Sequence, residues 1–125
     1  MTTVLVVDDE PLIAMALEAA LADAGYQVAT AANGRQGLER LTEARVDVIL
    51  LDMMMPVMNG PAMLKAMAAE PELRSIPVIV LSSLPQTAIP ARTDGTAAIL
   101  QKPYTADEVL KAIELVLGAG DRARS

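Results

Sequence analysis

The stretch Val46-Asp47-Val48-Ile49-Leu50-Leu51 is apolar but for one residue and stops on a carboxylate, Asp52. Turn-forming residues follow at once, with Pro56, Asn59 and Gly60 in the next eight positions. A short unbroken apolar run of this kind reads as a strand covered by helices on both faces, which is the signature of a central strand in a parallel sheet. Open parallel sheets bind ligands at the carboxyl ends of their strands, so Asp52 stands where a site belongs.

The rest of the chain repeats this form. Thr3-Val4-Leu5-Val6-Val7 is β-branched and ends on Asp8-Asp9-Glu10. Pro11 suits the first turn of a helix, where its missing N–H costs nothing, and Leu12 through Leu21 are strong helix formers that Gly25 can close. Tyr26 to Ala31 reads as a second strand, followed by the turn signal Asn33-Gly34 and a modest helix from Gly37 to about Ala44. Pro61 to Ala69 carries Met63, Leu64 and Met67 at helical spacing before Pro71 breaks it. Ile76 to Leu81 is a fourth strand running into Ser82-Ser83, and Ala97 to Gln101 a fifth, followed by Lys102-Pro103-Tyr104. Between them, Leu84 to Gly95 contains Pro85 and Pro90, so only a short or irregular fourth helix fits. Thr105 and Glu108 form a capping box for a last helix over Val109–Leu117. Gly118 is expected to end it, leaving 119–125 as a disordered tail and 1–118 as the folded domain.

Five strands alternating with helices imply a parallel α/β sheet with right-handed crossovers. Of the known doubly wound orders, 2-1-3-4-5 is the five-stranded precedent, and it sets the first and third strands side by side. Asp8, Asp9 and Asp52 then gather at one edge.

Composition limits what such an edge can do. The chain has no His and no Cys, which removes disulfides, imidazole bases, thiol nucleophiles and nearly all transition-metal sites. A net charge of −6 argues against nucleic acid as a partner. No apolar run approaches the roughly 20 residues of a membrane span, and no basic leader precedes the first strand, so a soluble, cytoplasmic protein is expected. Without Phe or Trp the core must be aliphatic, with Met filling gaps.

Clustered carboxylates repel one another unless they share protons or a cation. With oxygen ligands only, Mg²⁺ is the natural choice, held by one or two carboxylates, a backbone carbonyl and waters. Such sites usually hold phosphate too, and the remaining strand ends supply a small hydroxyl at Ser82 and an ammonium at Lys102. The inference is phosphoryl transfer onto Asp52 itself. Each residue alone has a plainer reading. Asp8-Asp9-Glu10 could merely open a helix, favoured there by its dipole. Asp52 could cap a turn, Ser82 could bond backbone, and Lys102 could be a solvated surface lysine. The methionines read as packing, and Tyr104 as a half-buried ring with a wet hydroxyl.

Taken together, Val-Val-Asp8-Asp9-Glu10, Leu-Leu-Asp52-x-x-Met55-Pro56-x-Met58-Asn59-Gly60, Val-Leu-Ser82-Ser83 and Lys102-Pro103-Tyr104 resemble the response-regulator receiver domain of two-component signalling, from Val4 to Leu117. The resemblance implies a flavodoxin-like fold and an Asp52 that accepts phosphate from a sensor histidine kinase or phosphotransfer protein. It implies that Asp9, Asp52 and the backbone carbonyl of Met54 bind Mg²⁺, with Asp8 helping through water. Ser82 would close on the phosphoryl oxygen, Lys102 would pair with it, and the bond to Pro103 would be cis. A protein of this kind assists its own phosphorylation and dephosphorylation without being an enzyme in the usual sense. It would be a monomer or weak dimer, and would signal by binding a downstream protein or passing the phosphate on.

Three features depart from the pattern. Ile99 replaces the mobile Tyr or Phe usual in receivers, and Ile is stiff at χ1. The segment between Ser82 and Lys102 is about two residues short. Met54 and Leu84, which flank the phosphoryl group in receivers, are apolar and cannot orient an attacking water, so a long-lived phosphate is expected. Two other readings stay open. One is a pseudo-receiver that binds without being phosphorylated. The other is a small Mg²⁺-dependent phosphatase with an Asp nucleophile, against which Met54 counts, since such enzymes carry a second Asp there.

Overall fold

A computed structural model describes residues 2–53, 55, 57–82 and 96–124 of the chain. Met54, Leu84 and the fourth helix expected before Gly95 lie outside them. The order is β1 (Thr3–Val7), α1 (Pro11–Asp23), β2 (Gln27–Ala31), α2 (Gly34–Glu43), β3 (Val48–Asp52), α3 (Gly60–Ala68), β4 (Val78–Ser82), β5 (Thr96–Gln101) and α4 (Ala106–Arg124). The strands form one parallel sheet in the order β2-β1-β3-β4-β5.

Alternation along the strands divides the core into two layers. Val4, Val6, Val48, Leu50, Ile79 and Leu81 face Leu17 and Leu21 of α1 and Val109 and Ile113 of α4. Leu5, Val7, Ile49, Leu51, Val78 and Val80 face the other way, against Leu38 of α2 and Met63, Leu64 and Met67 of α3. Every residue of β3 is buried, as expected of a strand sandwiched on both sides. The second layer also takes in Met53, Met55 and Met58, so these three methionines of the loop after β3 do pack.

Helix starts follow local chemistry. Pro11 opens α1, and Gly25, at φ +97°, follows its end in the left-handed conformation that closes helices. Asn33-Gly34, expected to be a turn, instead caps α2: the Asn33 side chain accepts from the Gln36 N–H at 2.9 Å, while Gln36 accepts from the Ala32 N–H at 2.8 Å. Asn59 caps α3 in the same way, accepting from Ala62 at 2.9 Å. The capping box before α4 is formed, with Glu108 N–H on the Thr105 hydroxyl at 3.1 Å and Thr105 N–H on the Glu108 carboxylate at 3.2 Å. One expectation needs correcting: α4 does not stop at Gly118 but stays helical to Arg124. Gly118 does not take the left-handed conformation that a closing glycine needs, and a glycine inside a helix costs only about 1 kcal/mol relative to Ala.

Candidate functional site

The register sets the site. Val7 pairs with Leu51, so the next residue on each strand, Asp8 and Asp52, emerge side by side. Asp52 pairs with Leu81 and Ser82 with Gln101, which brings Ser82 and Lys102 to the same carboxyl edge. The Lys102 N–H donates to the Ser82 carbonyl at 2.7 Å, and the Met53 N–H to Leu81 at 3.2 Å, tying the three strand ends together. Gly60 closes in from behind, where a Cβ would stand 2.9 Å from the Asp52 carbonyl oxygen.

Asp8, Asp52 and Ser82 are the buried polar side chains among the described residues. Lys102 Nζ lies 3.3 Å from Asp52 Oδ1. Asp8 Oδ1 accepts the Glu10 N–H at 2.9 Å, but Asp8 Oδ2 is buried without a hydrogen-bond partner. Carboxylate oxygens of Asp8, Asp9 and Glu10 can all be found within 4.8 Å of one another. Burial is the main reason that the Asp8 carboxyl is pushed above its ordinary range; Asp52 and Glu10 add to this, while the Glu10 N–H and Lys102 oppose it. An oxygen-only cluster with one buried, unpartnered lone pair suits a hard cation such as Mg²⁺.

The strand-end residues singled out in the sequence, Asp8, Asp9, Asp52, Ser82 and Lys102, therefore sit at one edge of the sheet. The bond between Lys102 and Pro103 is cis. Ile99 lies opposite Val80 and packs, partly buried, into the methionine-rich layer. Two features escaped the sequence. Glu10 joins the cluster, although its adjacency to Asp9 already hinted at it. The Tyr104 hydroxyl is not wet: it is buried and has no hydrogen-bond partner, and its pKa is pushed up to about 12 by burial and by Asp8, Asp52 and Glu10.

A doubly wound sheet with an acidic pocket at the ends of its first and third strands, and a lysine reaching in from the fifth, defines a narrow class. The family model for the response regulator receiver domain matches residues 4–114. The chain is 33% identical over 119 residues to Protein PilH of Pseudomonas aeruginosa, covering 94% of this chain and 98% of that protein. It is also 33% identical to a probable chemotaxis protein CheY of Rhizobium etli, covering 93% and 92%. By contrast it spans about half of longer relatives such as the transcriptional regulatory protein DltR of Streptococcus agalactiae, which it matches at 40% identity. Among solved structures, the chemotaxis response regulator CheY4 of Vibrio cholerae superimposes with a TM-score of 0.85 at 36% identity over 93% of this chain and 98% of that one. The receiver domain of the sensor histidine kinase PA1611 of Pseudomonas aeruginosa, solved with a magnesium ion coordinated in its active-site cleft, gives 0.84 at 28% identity over 94% and 98%. The chain belongs to the response regulator receiver family of two-component signalling.

Proposed function

We propose that this receiver is a working phosphoacceptor, with Asp52 as the residue that takes the phosphoryl group from a histidine kinase or phosphotransfer protein. The observation that carries the reading is the buried Asp52 carboxylate with the Lys102 ammonium 3.3 Å from it, beside an Asp8 whose second oxygen is buried and unpartnered. An ion pair alone would be structural; an ion pair next to a buried carboxylate oxygen with no hydrogen-bond partner suits a ligand site.

An oxygen of Asp52 attacks phosphorus, the new O–P bond forms, and the donor's N–P bond breaks with its electron pair leaving on the imidazole. Lys102 neutralises charge on the transferring group, and Ser82, at the end of the adjacent strand, would donate to a phosphoryl oxygen. Asp8, Asp9, Asp52 and the Met54 carbonyl would hold Mg²⁺, which when bound supplies further charge neutralisation. The adduct adds roughly −1.5 to −2 charge and shifts a conformational equilibrium that a downstream protein reads. Ile99 argues that the readout does not run through a swinging aromatic hydroxyl at that position.

Incubation with Mg²⁺ and acetyl phosphate, followed by intact-mass measurement, tests this. One phosphate is expected on the wild type and none on Asp52→Asn. An unchanged mass in the wild type would mean a binding module that takes no phosphate, and sustained release of acetate and phosphate without an adduct would mean a phosphatase.

A further inference from the structure

Among the described residues, two buried side-chain atoms lack a hydrogen-bond partner: Asp8 Oδ2 and the Tyr104 hydroxyl. One is an acceptor and the other carries a donor. Leaving a buried polar group unpaired is costly, so two complementary orphans call for an explanation. Asp8 follows Val4 and Val6 in the alternation of β1, so it opens on the same side of the sheet as the first core layer, against which Tyr104 packs.

The ring is held by packing. Tyr104 lies against the first core layer and, with Ile13, Ala16 and Leu17 of α1, walls an apolar cavity of about 500 Å³. Its apolar edge is thereby committed to α1, while its hydroxyl sits in the field of the acids. The turn after β5 thus brings two donors to this edge, since Lys102, which pairs with Asp52, lies two residues before Tyr104.

We infer that Tyr104 is a positioning residue whose phenol O–H serves the open oxygen of Asp8, fixing that carboxylate for a divalent cation. With the ring held, a rotation of the Asp8 side chain or one intervening water would close the pair. The inference rests on the receiver reading, because it assigns Asp8 to the cation site. A phenylalanine would fill the same apolar space and would leave Asp8 without its donor.

The test is a double-mutant cycle on Mg²⁺ affinity, measured by calorimetry on wild type, Tyr104→Phe, Asp8→Asn and the double variant. Tyr104→Phe is expected to weaken binding about 10-fold with its thermal midpoint held or raised, consistent with a hydrogen bond to a charged group. The double variant should bind no more weakly than Asp8→Asn alone. A second readout uses native Tyr104: the chain has only two tyrosines and no tryptophan, so in Tyr26→Phe the near-ultraviolet absorption reports this phenol alone. Mg²⁺ should shift that absorption, and adding Asp8→Asn should abolish the shift. Additive effects in the cycle, affinity within twofold of wild type in Tyr104→Phe, or a silent phenol overturns the role of Tyr104. If the wild type takes phosphate while these fail, only this inference falls; if the wild type binds no Mg²⁺, both fall.

Discussion

The two ends of the sheet carry strand-terminal aspartates with opposite fates. At the amino end, Asp47 precedes β3 and its carboxylate accepts the Thr3 N–H at 2.8 Å, while its own N–H donates to the Thr3 carbonyl at 2.9 Å. That exchange latches β1 to β3, and the neighbouring Ile49 N–H is bonded to Pro77 at 3.1 Å. At the carboxyl end of the same two strands, Asp8 is buried with one oxygen unpartnered and its pKa raised by desolvation. An aspartate whose bonds are spent on backbone belongs to the fold. One kept buried with an oxygen unpartnered is suited to a ligand.

The sharpest way to break this comparison is at Asp52. Asp52→Asn keeps the shape of the side chain and removes the proposed nucleophile, so acetyl phosphate with Mg²⁺ should give no adduct by intact mass, against one in the wild type. The same assay on Asp47→Ala should give a full adduct. An adduct on the first variant, or none on a folded sample of the second, would erase the distinction between the two ends.

Asp8→Asn comes next. Mg²⁺ affinity should fall about 10–100-fold, by calorimetry. Stability should move the other way. Because the folded chain raises the Asp8 pKa above 3.8, it binds that proton more readily than the unfolded chain does. The resulting stabilisation is present in acid and is lost as pH rises through the folded pKa. At neutral pH the ionised, desolvated carboxylate opposes folding. In chelator, Asp8→Asn should therefore melt a few degrees higher than wild type at pH 7, with the gain shrinking as pH falls towards the ordinary carboxylate range.

These contrasts also mark what the amino-acid sequence makes legible. The strands were readable because a strand covered on both faces stays apolar without alternation, and β3 is buried at all five positions. The site followed once strand order was set, since neighbouring strand ends must meet. Asp47 was not readable, because its partner is a backbone N–H 44 residues upstream. The last helix was misread at Gly118, where glycine signals a stop only if it turns left-handed. Tyr104 is misread because the core layer it packs against is built from elements far away in the chain.

Asp47→Ala should cost about 1–3 kcal/mol in denaturant unfolding, the penalty for leaving the part-buried Thr3 N–H without its acceptor. Mg²⁺ affinity should stay within twofold of wild type. Loss of Mg²⁺ binding at equal folding would mean that the two ends of β3 are coupled.

The smallest effect is expected at Val57, in the loop behind Asp52. Its φ of +66° makes it the non-glycine residue with positive φ among those described, and its side chain is 77% exposed. A β-branched side chain strained in this region costs about 1–3 kcal/mol and here has little burial to offset it. Glycine removes the strain but adds about 0.4–1 kcal/mol of unfolded-state entropy to be lost on folding. Val57→Gly should therefore stabilise the chain by roughly 0.5–1 kcal/mol in a denaturant titration, and Val57→Asn, which tolerates the left-handed region with less freedom when unfolded, by at least as much. If instead both variants lose stability, the strain at the carboxyl end is not stored in this residue, and the contrast between the two ends rests on the carboxylates alone.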